Sequence, residues 1–251
     1  TSGSTATIDN STAIIAGATI SGDSKTSSVL KSDNSKITSD NVTIKNLTVE
    51  GSGASGTSGS MNISGNNTTI ESVNYTGEAG KIAIAVSTGD DNSGTVIKDT
   101  KITNAFRGIQ FWRLSGDSVI ENCVLDISGY TFNIDSTAPD ATLTIKDSTL
   151  NGWTSYTSGI ELVTFDNCKF GLNTYEYLRP YSNTVLKDCE FTSEDYQLNA
   201  GGSDAYTITL TNCTKNGTAI TADNVISLLL DTDGWNSNVT LIVNGVTVTV
   251  A

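Results

Sequence analysis

Seven residues have the types and the placing to do chemistry: Gln110, Trp112, Asn133, Asp135, Glu161, Tyr177 and Arg179. They fall in short runs, GIQFWR (108–113), TFNID (131–135), GIEL (159–162) and YEYLRP (175–180), with KIAIAV (81–86) and YQLN (196–199) as companions. If Ile84, Ile109, Phe111, Phe132, Ile134, Ile160, Leu162, Leu178 and Leu198 point inward, strand alternation leaves the seven outside, together with Gln197 and Asn199. Rings, amides, carboxylates and a guanidinium together are the chemistry of sugar recognition, in which a ring covers a pyranose face and polar edges bind its hydroxyls. Asp135 and Glu161 stand in successive runs. Adjacent strands would set their carboxyls near the ~5–5.5 Å of a retaining glycosidase pair, with Arg179 as a third group. All of this requires the runs to be strands stacked in one sheet.

Composition favours strands. Of 251 residues only 16% are charged, and polarity comes from Ser, Thr, Asn and Gly, which suit strands and turns and compete with the backbone inside helices. The net charge is −13, with 14 basic against 27 acidic side chains, so the cationic footprint of a nucleic-acid binder is absent. There is no histidine, which removes the commonest general base and the commonest metal ligand. No apolar stretch approaches the ~18 residues of a membrane span, so membrane insertion is not expected. Two acidic turns, GDDNSG (89–94) and DTDG (231–234), offer oxygen ligands for calcium but lack the ligand count of a dedicated loop. No cofactor is expected otherwise.

One pattern recurs eight times: TIKNLTV (43–49), TIESVNY (69–75), VIKDTKI (96–102), VIENCVL (119–125), TIKDSTL (144–150), TFDNCKF (164–170), VLKDCEF (185–191) and TLTNCTK (209–215). Its central column is Asn46, Ser72, Asp99, Asn122, Asp147, Asn167, Asp188 and Asn212, a period of about 24 residues. Apolar residues stand two before and three after that column, Lys215 alone excepted. Positions −2 and +1 are three apart, so strict alternation cannot bury both, and the chain must turn a corner at the Asn or Asp. Those side chains tolerate the left-handed backbone region and hydrogen-bond locally. A strand, a corner and a second strand repeated in this way form the rung of an all-β parallel solenoid, and dividing the chain length by the period gives about ten rungs.

The unit NVTIKNLTV (41–49), with GIQF (108–111) or GIEL (159–162), resembles right-handed parallel β-helix proteins of the pectate-lyase-like superfamily over roughly residues 40 to 215. The resemblance implies the fold and leaves function open, because that superfamily includes lyases, glycosidases, phage tailspikes and bacterial adhesins. Its Asn-Thr-Asp and Gly-His-Gly signatures are missing, and of Arg-x-Pro-x-x-Arg only Arg179-Pro180 is present. The +1 column holds all four cysteines, Cys123, Cys168, Cys189 and Cys213, among small or apolar residues. Buried thiols of this kind pack as small hydrophobes, so free cysteines are expected.

A single domain is expected, with an N-terminal cap and first rungs over 1–40, regular rungs over 41–215 and a C-terminal cap over 216–251. That last cap holds a short helix at 223–230 and a hairpin at Asn244-Gly245. Absent histidine and absent family signatures favour a non-catalytic extracellular or cell-surface module, an adhesin or polysaccharide-binding β-helix; the alternative is a polysaccharide lyase or glycoside hydrolase using Asp135, Glu161 and Arg179, and the third reading is a spacer that self-associates end to end. The expected partner is an extended polysaccharide or a cell-surface glycoprotein.

Overall fold

The computed structural model describes residues 3–86, 92–157, 159–172 and 177–250. The chain is an all-β parallel solenoid of about 8 turns, in which each turn contributes to three sheets. The first sheet stacks the strands that precede each Asn or Asp corner. Ile20, Ile44, Ile70, Ile97, Ile120, Ile145, Phe165, Leu186, Leu210 and Val243 lie in unbroken register along it. From Ile44 to Val243 this ladder is buried. The second sheet follows the corner and buries Val49, Tyr75, Ile102, Leu125, Leu150, Phe170 and Phe191. The third sheet runs from Ser35–Ile37 through Met61–Ile63, Ile82–Val86 and Arg107–Phe111 to residues 130–134 and 153–156, then Tyr177–Arg179 and Gln197–Leu198.

The corner has the geometry that its residue types demand. All eight central residues have φ between 49° and 56°, the left-handed region that Asn and Asp adopt most cheaply among residues with side chains. They also bond to one another along the stack: Asn122 Nδ2 donates to Asp99 Oδ1 (2.6 Å), Asn167 Nδ2 to Asp147 Oδ1 (2.7 Å) and Asn212 Nδ2 to Asp188 Oδ1 (3.2 Å).

The count of about ten rungs is corrected to about 8 turns. Dividing the whole length by the period counted terminal segments that do not complete a three-sided turn. Near the start, Thr5–Asp9 and Thr19–Ser21 do not pair with each other; each runs parallel to a later rung, in the second and first sheets respectively. At the other end the helix expected at 223–230 is Val225–Leu229, and Val239–Val243 turns through Asn244 and Gly245 into Val246–Val248. Two antiparallel pairings, Thr214–Lys215 with Thr218–Ala219 and Val239–Val243 with Val246–Val248, end the second and first sheets. The third ends where Leu230, the residue after the helix, bridges to Leu198. Lys215, the exception in the apolar column, stays inward with its amine donating to the carbonyls of Tyr196 (2.8 Å) and Leu228 (2.7 Å).

Candidate functional site

The outer face of the third sheet carries side chains of mixed type. Three outward columns cross it. Arg107, Tyr130, Trp153, Tyr177 and Gln197 form the first. Gln110, Asn133, Ser155, Arg179 and Asn199 form the second, and Trp112, Asp135, Thr157 and Tyr181 stand two residues further on in the turns. At about 4.8 Å per rung, each column offers a group at intervals suited to a chain lying along the axis.

The first column is a stack. Tyr130 and Trp153 lie face to face, with centroids 4.6 Å apart and planes 14° apart. The Arg107 guanidinium covers Tyr130 at 5.1 Å, and the Arg179 guanidinium covers Trp153 at 5.9 Å. Two cations thus bracket a ring pair, an arrangement that the ring quadrupoles favour. The second column carries a polar chain: Arg107 Nη1 donates to Gln110 Oε1 (2.6 Å), and Asn133 Nδ2 donates to Asp135 Oδ1 (2.6 Å). Arg179 lies at the same 5.9 Å over Tyr181. Tyr181 lies against Gly201 and Gly202; a Cβ at Gly201 would stand only 2.5 Å from its ring.

Three hollows follow one another along this face. Near its N-terminal end a hollow of about 380 Å³ lies among Ser55, Thr57, Lys81, Phe106, Arg107 and Trp112. A shallower one of about 250 Å³ is lined by Asn133, Asp135, Ser155, Thr157 and Tyr181. The third, about 350 Å³, is lined by Trp153, Tyr177, Arg179, Asn199, Asp231 and Asp233. In this last hollow Asp231 is held by Asn199 Nδ2 (2.8 Å) on one oxygen and the Asp233 amide (3.0 Å) on the other.

Of the residues expected from sequence, Gln110, Trp112, Asn133, Asp135, Tyr177 and Arg179 share this face. Two of them are not the exposed groups that alternation implies. Gln110 is 0% exposed, tied beneath Arg107, and Asn133 is only 9% exposed. Trp112 is half-buried and donates its indole N–H to Thr57 O (2.8 Å) in the Gly/Ser-rich loop 50–60, which folds down onto the face. Glu161 does not join the others. It lies beyond the turn that leaves the third sheet, at the entry to the first-sheet strand Leu162–Asp166, where its amide donates to Ala141 O (2.9 Å). The residue that aligns with Asp135 is Thr157, so the Asp135–Glu161 carboxylate pair does not assemble. The apolar spacing of GIEL matches that of GIQF and implies a third-sheet strand, but in the structure only Ile160 is buried, and Leu162 is half-exposed.

Arg107, Tyr130, Trp153, Tyr181, Asp231 and Asp233 were missed. Tyr130 and Trp153 each follow a glycine and begin their third-sheet segments, a signal that marks where the chain enters that sheet. The two aspartates belong to the acidic turn 231–234, where Asp231 serves Asn199 and an Asx turn. Residues 89–91 of the other acidic turn lie outside the described residues. Among the described residues, no group of three or more Cys, Asp or Glu is placed to hold a metal ion.

The fold defines a class, the parallel β-helix. A solved structure of that kind, tailspike protein gp49 from Acinetobacter baumannii bacteriophage Fri1, a capsular polysaccharide depolymerase, superposes with a TM-score of 0.54 at 17% sequence identity. The match covers 90% of this chain and 49% of the tailspike, so the chain spans about half of that protein. No protein-family model and no curated protein sequence matches the chain.

Proposed function

We propose that this protein is a surface-exposed β-helix that holds an extended polysaccharide along the outer face of its third sheet. The observation that carries the reading is the line of three hollows on one face, each with aromatic walls and hydrogen-bonding groups. A compact ligand needs one pocket, whereas a chain of sugars fills several in sequence. The structural similarity to a capsular polysaccharide depolymerase supports the same ligand class. Exposure outside the cell fits a polysaccharide partner, and among the described residues no helix is long and apolar enough to cross a membrane.

The test is a glycan array probed with the wild type and with Trp153→Ala and Tyr181→Ala. Binding lost in both variants, with an unchanged thermal transition, supports the reading; silence from folded wild type on every glycan overturns it and leaves a spacer or self-associating role.

A second reading, cleavage of the bound chain, is favoured by the C-terminal hollow, where Asp231 and Asp233 share walls with Arg179. Two carboxylates and a guanidinium suit hydrolysis or elimination. Incubating retained glycans with the protein and assaying reducing ends and unsaturated products separates the readings. Product abolished by Asp231→Asn establishes cleavage; no product establishes a binding module.

A further inference from the structure

We infer that the groove takes an anionic polysaccharide and that Arg107 and Arg179 are the specificity-determining residues that hold its carboxylates; this rests on the polysaccharide reading above. The sequence contains three arginines, and all of them, Arg107, Arg113 and Arg179, stand on the third sheet or the turn that leaves it. Lysines elsewhere are used differently. Lys98, Lys146, Lys169 and Lys187 each pair with a carboxylate on a neighbouring rung. Neither Arg107 nor Arg179 has a carboxylate partner among the described residues. Arg179 Nε is buried and makes no hydrogen bond.

A donor withdrawn from water and left without an acceptor is costly in the free protein, and a small shift of the Arg179 side chain that lets a ligand oxygen accept from it removes that cost. The rings position both guanidinium groups, of which Arg107 already commits Nη1 to Gln110 Oε1. Tyr130 and Trp153 cover each other's faces, and the two arginines cover the outer ones, so this pair offers a sugar its edges rather than a stacking platform. The rings act as pedestals. A guanidinium set over a ring has less orientational freedom to lose when it offers its fork of N–H donors to the two coplanar oxygens of a carboxylate.

The acids nearby are mostly withdrawn from competition. Asp135 accepts from Asn133, and Asp231 is bonded on both oxygens. Asp233 is exposed in the same hollow as Arg179, a like charge that weakens binding of an anion. Arg107 and Arg179 start three rungs apart, ~14 Å at the spacing of parallel strands, so the ligand is one whose charges recur along its length.

The experiment uses the full chain on carboxylated, sulfated and neutral polysaccharides, and repeats every carboxylated hit with its carboxyl-reduced derivative. Retention confined to carboxylated chains and lost on reduction is the expected result. Arg179→Gln and Arg107→Gln should each weaken binding roughly tenfold or more, as for a lost charge-assisted hydrogen bond. Arg179→Lys should restore only part of the loss, and Asp233→Asn should tighten binding. Undiminished affinity for neutral or carboxyl-reduced chains, or an unaltered Arg179→Gln variant that still loses binding through Tyr181→Ala, overturns the inference and leaves the polysaccharide reading standing. No retention of any polysaccharide by folded wild type overturns both.

Discussion

Lys146 Nζ lies 2.8 Å from Glu121 Oε1 on the adjoining rung. The pair is one step of a column in which charge alternates along the outer face of the first sheet: Lys45, Glu71, Lys98, Glu121, Lys146, Asp166 and Lys187 stand in register. In a solenoid every rung resembles its neighbours, so a rung could stack one place out of order. Alternating sign penalises that slip, because a shift by one rung sets like charges opposite.

Reversing one member tests this. Lys146→Glu places a carboxylate between Glu121 and Asp166, and should lower the thermal midpoint more than Lys146→Ala does. Adding salt to about 1 M should close most of the gap between the two variants, since exposed charges are screened at that strength. Equal midpoints at low salt would show that the column contributes no register selection.

The buried ladder of the first sheet predicts a larger effect. Leu186 is 0% exposed between Phe165 and Leu210. Leu186→Ala should cost about 2–5 kcal/mol in denaturant unfolding, from lost transfer energy and the cavity left behind. Leu186→Asp should yield no cooperative transition, because a carboxylate there has no partner.

The cysteines predict behaviour toward base. All four are free and buried. Burial pushes the Cys123 thiol from the ordinary 9.0 up to about 11. A hydrogen bond with Cys168, together with burial, pushes Cys189 up to about 12. A folded-state value above the unfolded one means that the native state binds more protons between the two, so the stabilisation is complete below about pH 9 and is lost as pH rises through the folded values. Burial also raises Tyr75, Tyr156 and Tyr196, which extends the loss upward from pH ~10. Stability measured against pH should therefore fall above pH ~9. Mass spectrometry after alkylation of unreduced, denatured protein should find four modified thiols, and the native protein should label slowly.

At the C-terminal cap, the Lys215 amine satisfies two carbonyls that would otherwise be buried without donors, and burial lowers its pKa. Lys215→Met should destabilise by about 1–3 kcal/mol, the cost of leaving such groups unpaired. Hydrogen exchange should quicken first in Val225–Leu229, whose anchor is Leu228 O.

Gly201→Ala probes the face without touching a charged group. Its Cβ would stand 2.5 Å from the Tyr181 ring, which must swing out. Glycan binding should weaken while the thermal midpoint barely moves, since Tyr181 is half-exposed. A large loss of stability with binding intact would show that Tyr181 serves packing only.

The repeat alone specifies the solenoid. Asn46, Asp99 and Asp188 mark corners, and Ile44 through Leu210 mark a buried ladder, because stacking places equivalent residues of every rung in one column and so repeats the same physical demand along the chain. The cysteine column was legible for that reason. The candidate face carries no such repetition. Its residues differ from rung to rung, and the Tyr130–Phe132 step against Trp153–Thr154 contains a register shift that no periodicity reveals. Long-range folding sets the rest: Gln110 lies buried under Arg107, Glu161 stands beyond a turn, Tyr130 and Trp153 stack between two arginines, and Asp231 and Asp233 reach the face from the cap. Those outcomes depend on loops and bulges folding back across several rungs, where contacts join residues far apart in sequence and the local pattern does not distinguish GIEL from GIQF.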